Sequence, residues 1–213
     1  MPRLATMASA NIFIDDFNRG NGALGSNYDT VTSFNSMNVN SNAARGFSSG
    51  VSFNSIKSSV KTFSPNQEAQ VTYAAFNPTY FDSAGPAVRV TPESGSGYIL
   101  LIDSLNDSAR RLCKVTGSVR TTIGNVNLPA VAGDIFKLTA SGSRLLVYKN
   151  GILIDSVTDT TYPTGQPGLY YDRQNSNITY MDDFIAADMP TTVAKSLCII
   201  SQTQIGKLIQ GSQ

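Results

Sequence analysis

The Asn150-Gly151 pair, which separates two apolar runs, is the feature of this 213-residue sequence that most constrains its fold. Asn-Gly is the preferred dipeptide of a two-residue type I′ turn, because both positions need a positive φ and the turn's twist matches that of the strands it joins. A second turn signal, Ser141-Gly142-Ser143, precedes the first of these runs. The sequence therefore predicts an antiparallel three-stranded meander formed by residues 135–140, 144–149 and 152–157.

Adjacent apolar residues within this meander break strict alternation. Leu145 is followed by Leu146, and residues 152–154 are all apolar. A strand with apolar side chains on both faces is typical of a sheet that is covered on both sides. We therefore expect these strands to have apolar neighbours on both faces.

Short apolar runs bounded by Gly, Asn, Ser and Pro recur along the rest of the chain, at the spacing of strands. Only 15% of the residues are charged and 17 are Gly, so turns and surface must consist mainly of small neutral polar residues, as in β proteins. No helical pattern of three turns precedes Asp188. The sequence predicts an all-β protein whose further strands lie in residues 12–17, 37–39, 46–53, 70–76, 87–91, 98–102 and 111–115.

One domain with two short extensions is the expected organisation, because β sandwiches of this length are commonly single units. We predict an N-terminal arm of residues 1–11, a sandwich of residues 12–187 and a C-terminal tail of residues 188–213. The tail suits either a helix or a strand, and it either mediates assembly or packs back onto its own chain. Its apolar residues would expose hydrophobic surface if left free, and five of them are the predicted assembly contacts: Val193, Leu197, Ile200, Ile205 and Leu208.

The segment Asp15-Asp16-Phe17-Asn18-Arg19, followed by Gly22, Leu24-Gly25 and Asn27, resembles the opening of concanavalin A-like jelly-roll domains of the laminin-G and lectin/glucanase type. The resemblance covers residues 12–187, although Tyr28 stands where the family has Trp. It implies a two-sheet antiparallel jelly-roll sandwich. Later matches occur in the same order as in the family: Arg89, residues 97–101, Gly133-Asp134, Asn150-Gly151, residues 165–168 and Asp182-Asp183-Phe184.

Members of this superfamily bind sugars, hydrolyse glucans or serve as structural and adhesive modules, and several bacteriophage virion proteins resemble this chain. The resemblance therefore implies a fold more strongly than a function.

Catalysis is disfavoured by the residues that this chain lacks. It has no His, which excludes Ser-His-Asp and Cys-His catalysis. The glucanase pattern E-x-D-x-x-E is absent, and the only glutamates are Glu68 and Glu93. Glycoside hydrolysis needs paired carboxylates, for which Asp82, Asp103 and Asp107 are the remaining candidates. We predict that the chain has no catalytic residues and is not an enzyme, with a glycoside hydrolase as the weaker alternative.

Sugar binding without catalysis is a stronger alternative, since tyrosines combined with Asn and Asp side chains can form a stacking face for a glycan. Most tyrosines of a sandwich instead fill its core or the edge of the core. The six candidates for a stacking face are Tyr28, Tyr73, Tyr80, Tyr98, Tyr170 and Tyr171.

Calcium is the only cofactor that the sequence suggests. Asp16 lies near the first strand and Asp183 in the last, and terminal strands of this fold commonly lie side by side, so the two carboxylates could meet at a calcium ion. The alternative is that each Asp accepts hydrogen bonds from turn amides. Cys113 and Cys198 form no CxxC motif, which favours free buried thiols over a disulfide or a metal site.

Charge and hydropathy limit the partners. The formal net charge is +1 and the basic residues are scattered, so no basic stripe for nucleic acid is present. The longest apolar stretch of the tail, residues 197–200, is too short to span a membrane, and residues 1–11 have no signal-peptide pattern.

These limits, with the resemblance, favour a non-enzymatic structural or adhesive protein. We predict a bacteriophage virion component, such as a capsid decoration or tail-associated subunit, that is made in the host cytoplasm. It would be an oligomer or part of a larger assembly. A lectin-like carbohydrate-binding module that contacts a surface glycan is the alternative.

Overall fold

The computed structural model describes residues 11–46, 50–56, 60–75, 82–103, 111–126, 129–173 and 179–189. Within these residues the chain forms sixteen β-strands and one 3-10 helix (Pro92–Ser94), with no α-helix. None of the described helical segments is long and apolar enough to cross a membrane. The strands are β1 (Ile12–Asp15), β2 (Gly22–Ala23), β3 (Tyr28–Thr30), β4 (Met37–Asn40), β5 (Ala43–Gly46), β6 (Gly50–Ile56), β7 (Gln67–Ala75), β8 (Ser83–Thr91), β9 (Ser96–Asp103), β10 (Arg111–Thr116), β11 (Val119–Asn125), β12 (Ile135–Ser141), β13 (Arg144–Lys149), β14 (Ile152–Thr158), β15 (Gln166–Arg173) and β16 (Tyr180–Asp188).

The strands form two antiparallel sheets, which confirms the predicted two-sheet sandwich. The nine-stranded sheet has the order β14-β13-β12-β7-β16-β5-β4-β2, and β1 also pairs with β16. The seven-stranded sheet has the order β11-β10-β9-β8-β15-β6-β3. Most pairs of hydrogen-bonded strands are not consecutive in sequence, so the chain crosses repeatedly between the two sheets. The first and last strands are hydrogen-bonded neighbours, as expected for this fold.

The core lies between the two sheets. Along β9, Tyr98, Leu100 and Ile102 are fully buried and belong to the same cluster as Val71 and Leu138 of the opposite sheet. Successive side chains of a strand point to opposite faces, so these three define the inner face of the seven-stranded sheet. The alternation of side chains along β9 thus places every second residue in the core between the two sheets.

A second cluster covers the outer face of the seven-stranded sheet. Ile99 and Leu101 alternate with the inner residues of β9 and are also buried, together with Phe53 and Tyr170. Phe34, in the segment after β3, packs on this face, with ring centroids 5.4 Å from Phe53 and 6.1 Å from Tyr170. This face is therefore closed by apolar side chains.

The seven-stranded sheet is strongly curved. Arg120 on β11 forms an ion pair with Asp172 on β15, although β10, β9 and β8 lie between these two strands. Four strand spacings of about 4.8 Å would separate the two strands by about 19 Å in a flat sheet, beyond the combined reach of the two side chains. The contact therefore requires the sheet to curl so that its outer face is concave.

The meander has the turn that the sequence predicts. Asn150 and Gly151 have φ values of 49° and 80°, and Lys149 pairs with Ile152 across the turn. The expectation of apolar neighbours on both faces is wrong for β14. Its first residues, Ile152 and Leu153, are 69% and 49% exposed, because β14 is an edge strand of the nine-stranded sheet.

Arg89 joins three connecting segments to the centre of the seven-stranded sheet. It lies in β8 at a bulge with a φ of 53° and is only 2% exposed. Its guanidinium donates hydrogen bonds to three carbonyl oxygens, those of Pro65 at 3.0 Å, Tyr162 at 3.1 Å and Gly142 at 2.7 Å. Its backbone N–H donates to Oε1 of Gln67 at 3.1 Å. Burial lowers the pKa of Arg89, and the carbonyl oxygens solvate its charge.

We predict that Arg89→Leu lowers the free energy of unfolding by about 3 kcal/mol or more, because three carbonyl oxygens lose a charged donor inside the protein. Urea unfolding followed by circular dichroism measures this loss. Arg144→Leu is the matched control, since Arg144 is exposed and, among the described residues, its guanidinium donates only to the Ser156 hydroxyl. Equal stabilities of the two variants would contradict the role given to Arg89.

Asp159 anchors the segment after β14 to the seven-stranded sheet. It accepts hydrogen bonds from the Tyr98 hydroxyl at 2.7 Å and from the Thr161 N–H at 2.7 Å, and Lys114 Nζ lies 3.2 Å away. Burial opposes ionisation, but hydrogen bonds from Thr161, Tyr98 and Lys114 outweigh it and hold the pKa of Asp159 well below its ordinary value of 3.8. The folded protein therefore stabilises the ionised carboxylate.

The stabilisation by Asp159 should be fully present above the ordinary pKa and should be lost as the pH falls from there toward the lower folded pKa. Asp159→Asn should therefore show a shallower loss of stability than the unsubstituted protein between about pH 5 and pH 2. Chemical unfolding at a series of pH values tests this. Identical pH profiles for the two proteins would show that Asp159 does not contribute.

Candidate functional site

A polar cleft opens at one end of the seven-stranded sheet, where β8 ends and β15 begins. Its volume is about 240 Å³. We call it the β3–β15 cleft. Three segments that are far apart in sequence line it: Asp29 of β3; Val90, Thr91, Pro92 and Glu93 at the end of β8 and in the 3-10 helix; and Thr164, Gly165 and Gln166 at the start of β15.

One wall of the cleft is the 3-10 turn after β8. Pro92 occupies its first position, which suits a residue whose φ is fixed and whose missing N–H is not needed. Gly95 ends the turn in the left-handed conformation, with a φ of 61°. The Pro92 carbonyl accepts a hydrogen bond from the Thr32 N–H at 2.9 Å, which ties the turn to the segment after β3. The side chain of Glu93 is exposed at the rim.

The opposite wall depends on Gly165, which packs directly against the backbone of Arg89. A Cβ atom at Gly165 would lie 2.3 Å from the Arg89 carbonyl carbon, so only glycine fits here. Gln67 Nε2 donates to the Gly165 carbonyl at 2.9 Å. The buried Arg89–Gln67 pair therefore fixes the position of this wall.

Gln166 contributes an unpaired hydrogen-bond acceptor. It is the first residue of β15 and pairs with Val90 across the two strands. Its side-chain Oε1 atom is buried and has no hydrogen-bond partner among the described residues. A buried amide oxygen without a partner costs about 1–3 kcal/mol, which a ligand that donates a hydrogen bond would recover.

The chemistry of the cleft is that of an acceptor site. Asp29 and Glu93 supply carboxylates, Gln166 supplies the amide oxygen, and two threonines supply hydroxyls. None of the eight lining residues is basic or aromatic. Asp29 already takes part in another interaction, so the acceptors that can receive further hydrogen-bond donors are chiefly those of Glu93, Gln166 and the two threonines.

The predicted stacking face does not form among the five candidate tyrosines that the structure describes. Tyr73, Tyr98, Tyr170 and Tyr171 are at most 1% exposed, and Tyr28 is 6% exposed. Tyr98 and Tyr171 point into the central core, while Tyr170 belongs to the outer cluster. Tyr80 lies outside the described residues. These tyrosines are structural, as the alternative interpretation of the sequence expects.

The three aspartates considered for hydrolysis do not form a described catalytic pair. Asp82 is 1% exposed and accepts a hydrogen bond from the Tyr171 hydroxyl at 3.3 Å. The side chain of Asp103 and the whole of Asp107 lie outside the described residues. Of the two glutamates, Glu68 pairs with Lys137 at 3.1 Å on the nine-stranded sheet, whereas Glu93 lines the cleft.

Asp16 follows β1, and Asp183 lies in β16, the strand with which β1 pairs. β1 pairs with the second half of β16, with Asp15 opposite Phe184. Asp16 accepts two hydrogen bonds at 3.1 Å, from the N–H and from the side-chain amide of Asn18, and these lower its pKa. Calcium takes six to eight oxygen ligands, and the described residues hold no group of three or more side chains suited to a metal. Calcium binding stays a prediction.

The remaining predicted residues divide between the core and the undescribed tail. Cys113 is a free, buried cysteine, and burial raises the pKa of its thiol. Cys198 and the five predicted assembly residues Val193, Leu197, Ile200, Ile205 and Leu208 lie outside the described residues. Their role in assembly stays a prediction.

Comparison with solved structures identifies the fold. The carbohydrate binding module CBM66 from Bacillus subtilis matches with a TM-score of 0.57 and 15% identity, over 76% of this chain and 92% of that one. The CBM2 module of the evolved Dit of Lactobacillus casei BL23 phage J-1 matches with a TM-score of 0.55 and 12% identity, over 85% of this chain and 96% of the module.

A third match is a prokaryotic β-1,3-1,4-glucanase (lichenase) derived from a mouse hindgut metagenome, with a TM-score of 0.57 and 9% identity, over 84% of this chain and 99% of the other. No protein-family model and no curated protein matches the sequence. The fold is a concanavalin A-like jelly-roll sandwich, as the sequence resemblance implies.

We predict that calcium raises the melting temperature if Asp16 and Asp183 bind it, because a ligand that binds only the folded state stabilises it. The measurement compares melting in calcium with melting in a chelator. Asp16→Asn should abolish the rise, whereas Asp172→Asn, on the other sheet, should leave it in place. No rise in the unsubstituted protein would exclude calcium binding.

Proposed function

We propose that this protein is a non-catalytic binding module that recognises a hydroxyl-rich glycan through the β3–β15 cleft. We further propose that it does so as an adhesive or structural component of a bacteriophage virion, in contact with other subunits. The unpaired Oε1 atom of Gln166, a residue of the same cleft that Asp29 and Glu93 line, is the observation that carries the glycan assignment.

The hydroxyl groups of a sugar match the acceptors of the cleft. Each hydroxyl donates one hydrogen bond, and donation to a carboxylate is stronger than donation to a neutral acceptor. Pro92 supplies apolar contact for the C–H groups of a sugar ring. A neutral glycan is favoured over a uronic or sialic acid, because the lining carries two carboxylates and no basic residue.

The size of the cleft predicts weak binding of a single sugar unit. Its volume of about 240 Å³ is below the roughly 300–1,000 Å³ of pockets that enclose drug-sized ligands. A monosaccharide of about twelve heavy atoms, at about 0.3 kcal/mol each, would bind with a Kd in the millimolar range. Such affinity is effective where many copies act together, as in an assembled particle.

Glu93→Gln and Asp29→Asn should each weaken binding of a neutral glycan about fivefold to tenfold, because a charged acceptor is replaced by a neutral amide. Titration calorimetry against neutral mono- and oligosaccharides gives the affinities. Glu68→Gln is the matched control, since Glu68 lies on the other sheet in an ion pair with Lys137. Unchanged affinity in both cleft variants, or no binding of any neutral sugar at tens of millimolar, would contradict the assignment.

Glycoside hydrolysis is the second candidate, because Asp29 and Glu93 place two carboxylates in one cleft. Against it, Glu93 is exposed at the rim, whereas general acids of glycosidases are typically held in apolar surroundings. The same two variants decide between the candidates. Release of reducing sugar by the unsubstituted protein, lost in both variants, would replace binding with catalysis.

The virion assignment is supported by the fold and by the composition of the chain. A phage protein, the evolved Dit of phage J-1, contains a module of the same fold. The neutral polar composition gives no basic surface for nucleic acid. The apolar residues of the C-terminal tail, Val193, Leu197, Ile200, Ile205 and Leu208, are the proposed contacts with other subunits.

In the cells that produce it, the protein should sediment with assembled particles, and a soluble cytoplasmic marker should not. Leu197→Asp with Ile200→Asp should release it into the soluble fraction, because a charge in a buried subunit contact is strongly unfavourable. Immunoblotting of gradient fractions measures the distribution. A protein found only in the soluble fraction would refute the virion assignment without affecting glycan binding.

A further inference from the structure

The outer face of the nine-stranded sheet has apolar side chains on both sides of a polar centre. The side chains of β14, β13, β12, β7, β16 and β1 that alternate with core residues point to this face. Its apolar members belong to neither of the two apolar clusters that the described residues form. We call this surface the back face, and its residues are Leu153, Leu146, Tyr148, Lys137, Thr139, Glu68, Gln70, Ile185, Ala187, Ile12 and Ile14.

The strand register arranges the back face in two rows. The first row crosses all six strands, and its residues in order are Leu153, Tyr148, Lys137, Gln70, Ile185 and Ile14. The second row begins on β13, and its residues in order are Leu146, Thr139, Glu68, Ala187 and Ile12. Three strands thus lie on each side of the boundary between β12 and β7.

The apolar residues occupy the two flanks of the back face. On the flank of β13 and β14, Leu153 is 49% exposed, and on the flank of β1, Ile12 and Ile14 are 51% and 62% exposed. The outward face of an antiparallel sheet is commonly polar where it meets water. Exposed apolar side chains on both flanks therefore indicate that this face has a partner.

The polar centre carries opposite charges on the two sides of the boundary. Lys137 on β12 lies 3.1 Å from Glu68 on β7, and both side chains are 26% exposed. A two-fold axis that runs along the boundary exchanges β12 with β7. It therefore places Lys137 of each copy near Glu68 of the other copy, one row away, and the attraction occurs twice.

The same axis superposes the two apolar flanks. It places β13 over β16 and β14 over β1 of the second copy. Within the first row, Tyr148 then faces Ile185 and Leu153 faces Ile14. Two copies joined by a two-fold axis need a surface that complements itself in this way, and sheets that pack face to face keep their strands nearly aligned.

The back face is large enough for a reversible dimer. Six strands about 4.8 Å apart are about 29 Å wide, and six residues at about 3.3 Å each are about 20 Å long. The two copies together would bury about 1,150 Å², slightly more than the roughly 1,000 Å² that a specific interface needs.

We infer that the back face binds a second copy of this chain, with the two-fold axis along the boundary between β12 and β7. The partner is another copy because the charges of the centre and the apolar residues of the flanks match under one rotation. The β3–β15 cleft lies on the other sheet, so a dimer carries two clefts that can engage a repetitive ligand together.

Sedimentation velocity of the full-length protein, up to several hundred micromolar, should show a dimer that dissociates on dilution. Ile14→Asp and Leu153→Asp should each raise the dimer Kd at least about tenfold, because each places a charge in an apolar contact twice. Val119→Asp is the matched control, since Val119 is 66% exposed on β11 of the other sheet, and it should leave the Kd unchanged. Circular dichroism reports whether each variant is folded.

A charge pair tests the position of the axis. Ile14→Lys alone should weaken the dimer, whereas Ile14→Lys combined with Leu153→Asp should restore the Kd to within about threefold, because the introduced charges face each other across the axis. A double variant as weak as the single variants would overturn the inference. So would a monomer at every concentration, or a dimer that persists in Ile14→Asp but is lost in Leu197→Asp with Ile200→Asp. None of these outcomes bears on monosaccharide binding at the β3–β15 cleft.

Discussion

The buried guanidinium of Arg89 holds together parts of the chain that the two sheets alone would leave separate. Its donors reach the carbonyls of Pro65, Gly142 and Tyr162, which belong to three different connections. Within the described part of the chain, no carboxylate accepts from it, and three backbone carbonyl dipoles solvate its charge. A cation buried in this way tolerates little displacement of its acceptors, and the connections at this end of the sandwich are correspondingly fixed.

The β3–β15 cleft is a consequence of that constraint. The bulge at Arg89 gives β8 a positive φ and brings its backbone against Gly165, and Gln67 bridges the Arg89 N–H to the Gly165 carbonyl. One wall is thus held in place by Arg89 and Gln67, and the other wall is the 3-10 turn that begins at Pro92. The proposed glycan would therefore meet walls that the fold already holds in place, and it would not have to order the residues of those walls.

Turn residues in the sequence predict the strands that they separate. The Asn150-Gly151 turn and the three strands around it follow from turn chemistry alone. The sequence does not predict β11, because Val119-Arg120-Thr121-Thr122 is an exposed edge strand without an apolar period. The adjacent apolar residues of β14 wrongly predict a strand that is covered on both faces, because an edge strand leaves Ile152 and Leu153 exposed.

The sequence alone does not predict the β3–β15 cleft. Asp29, Glu93 and Gln166 are far apart in the chain, and they meet only because β8, β15, β6 and β3 are neighbours in one sheet. The one local hint was Arg89, which matched the family pattern without revealing its role.

The pairing of β1 with β16 brings the two ends of the described sandwich to a single point on its surface. Asn11 and Asp188 are joined by three hydrogen bonds, two of them from Asn11 to the Asp188 carboxylate. A unit whose entry and exit coincide can be placed within a loop of another protein without stretching either chain, as inserted domains generally require. The sandwich could therefore be inserted into another protein at two neighbouring positions of one loop. A circular permutant that joins Asn11 to Asp188 through a short linker should also keep the same architecture.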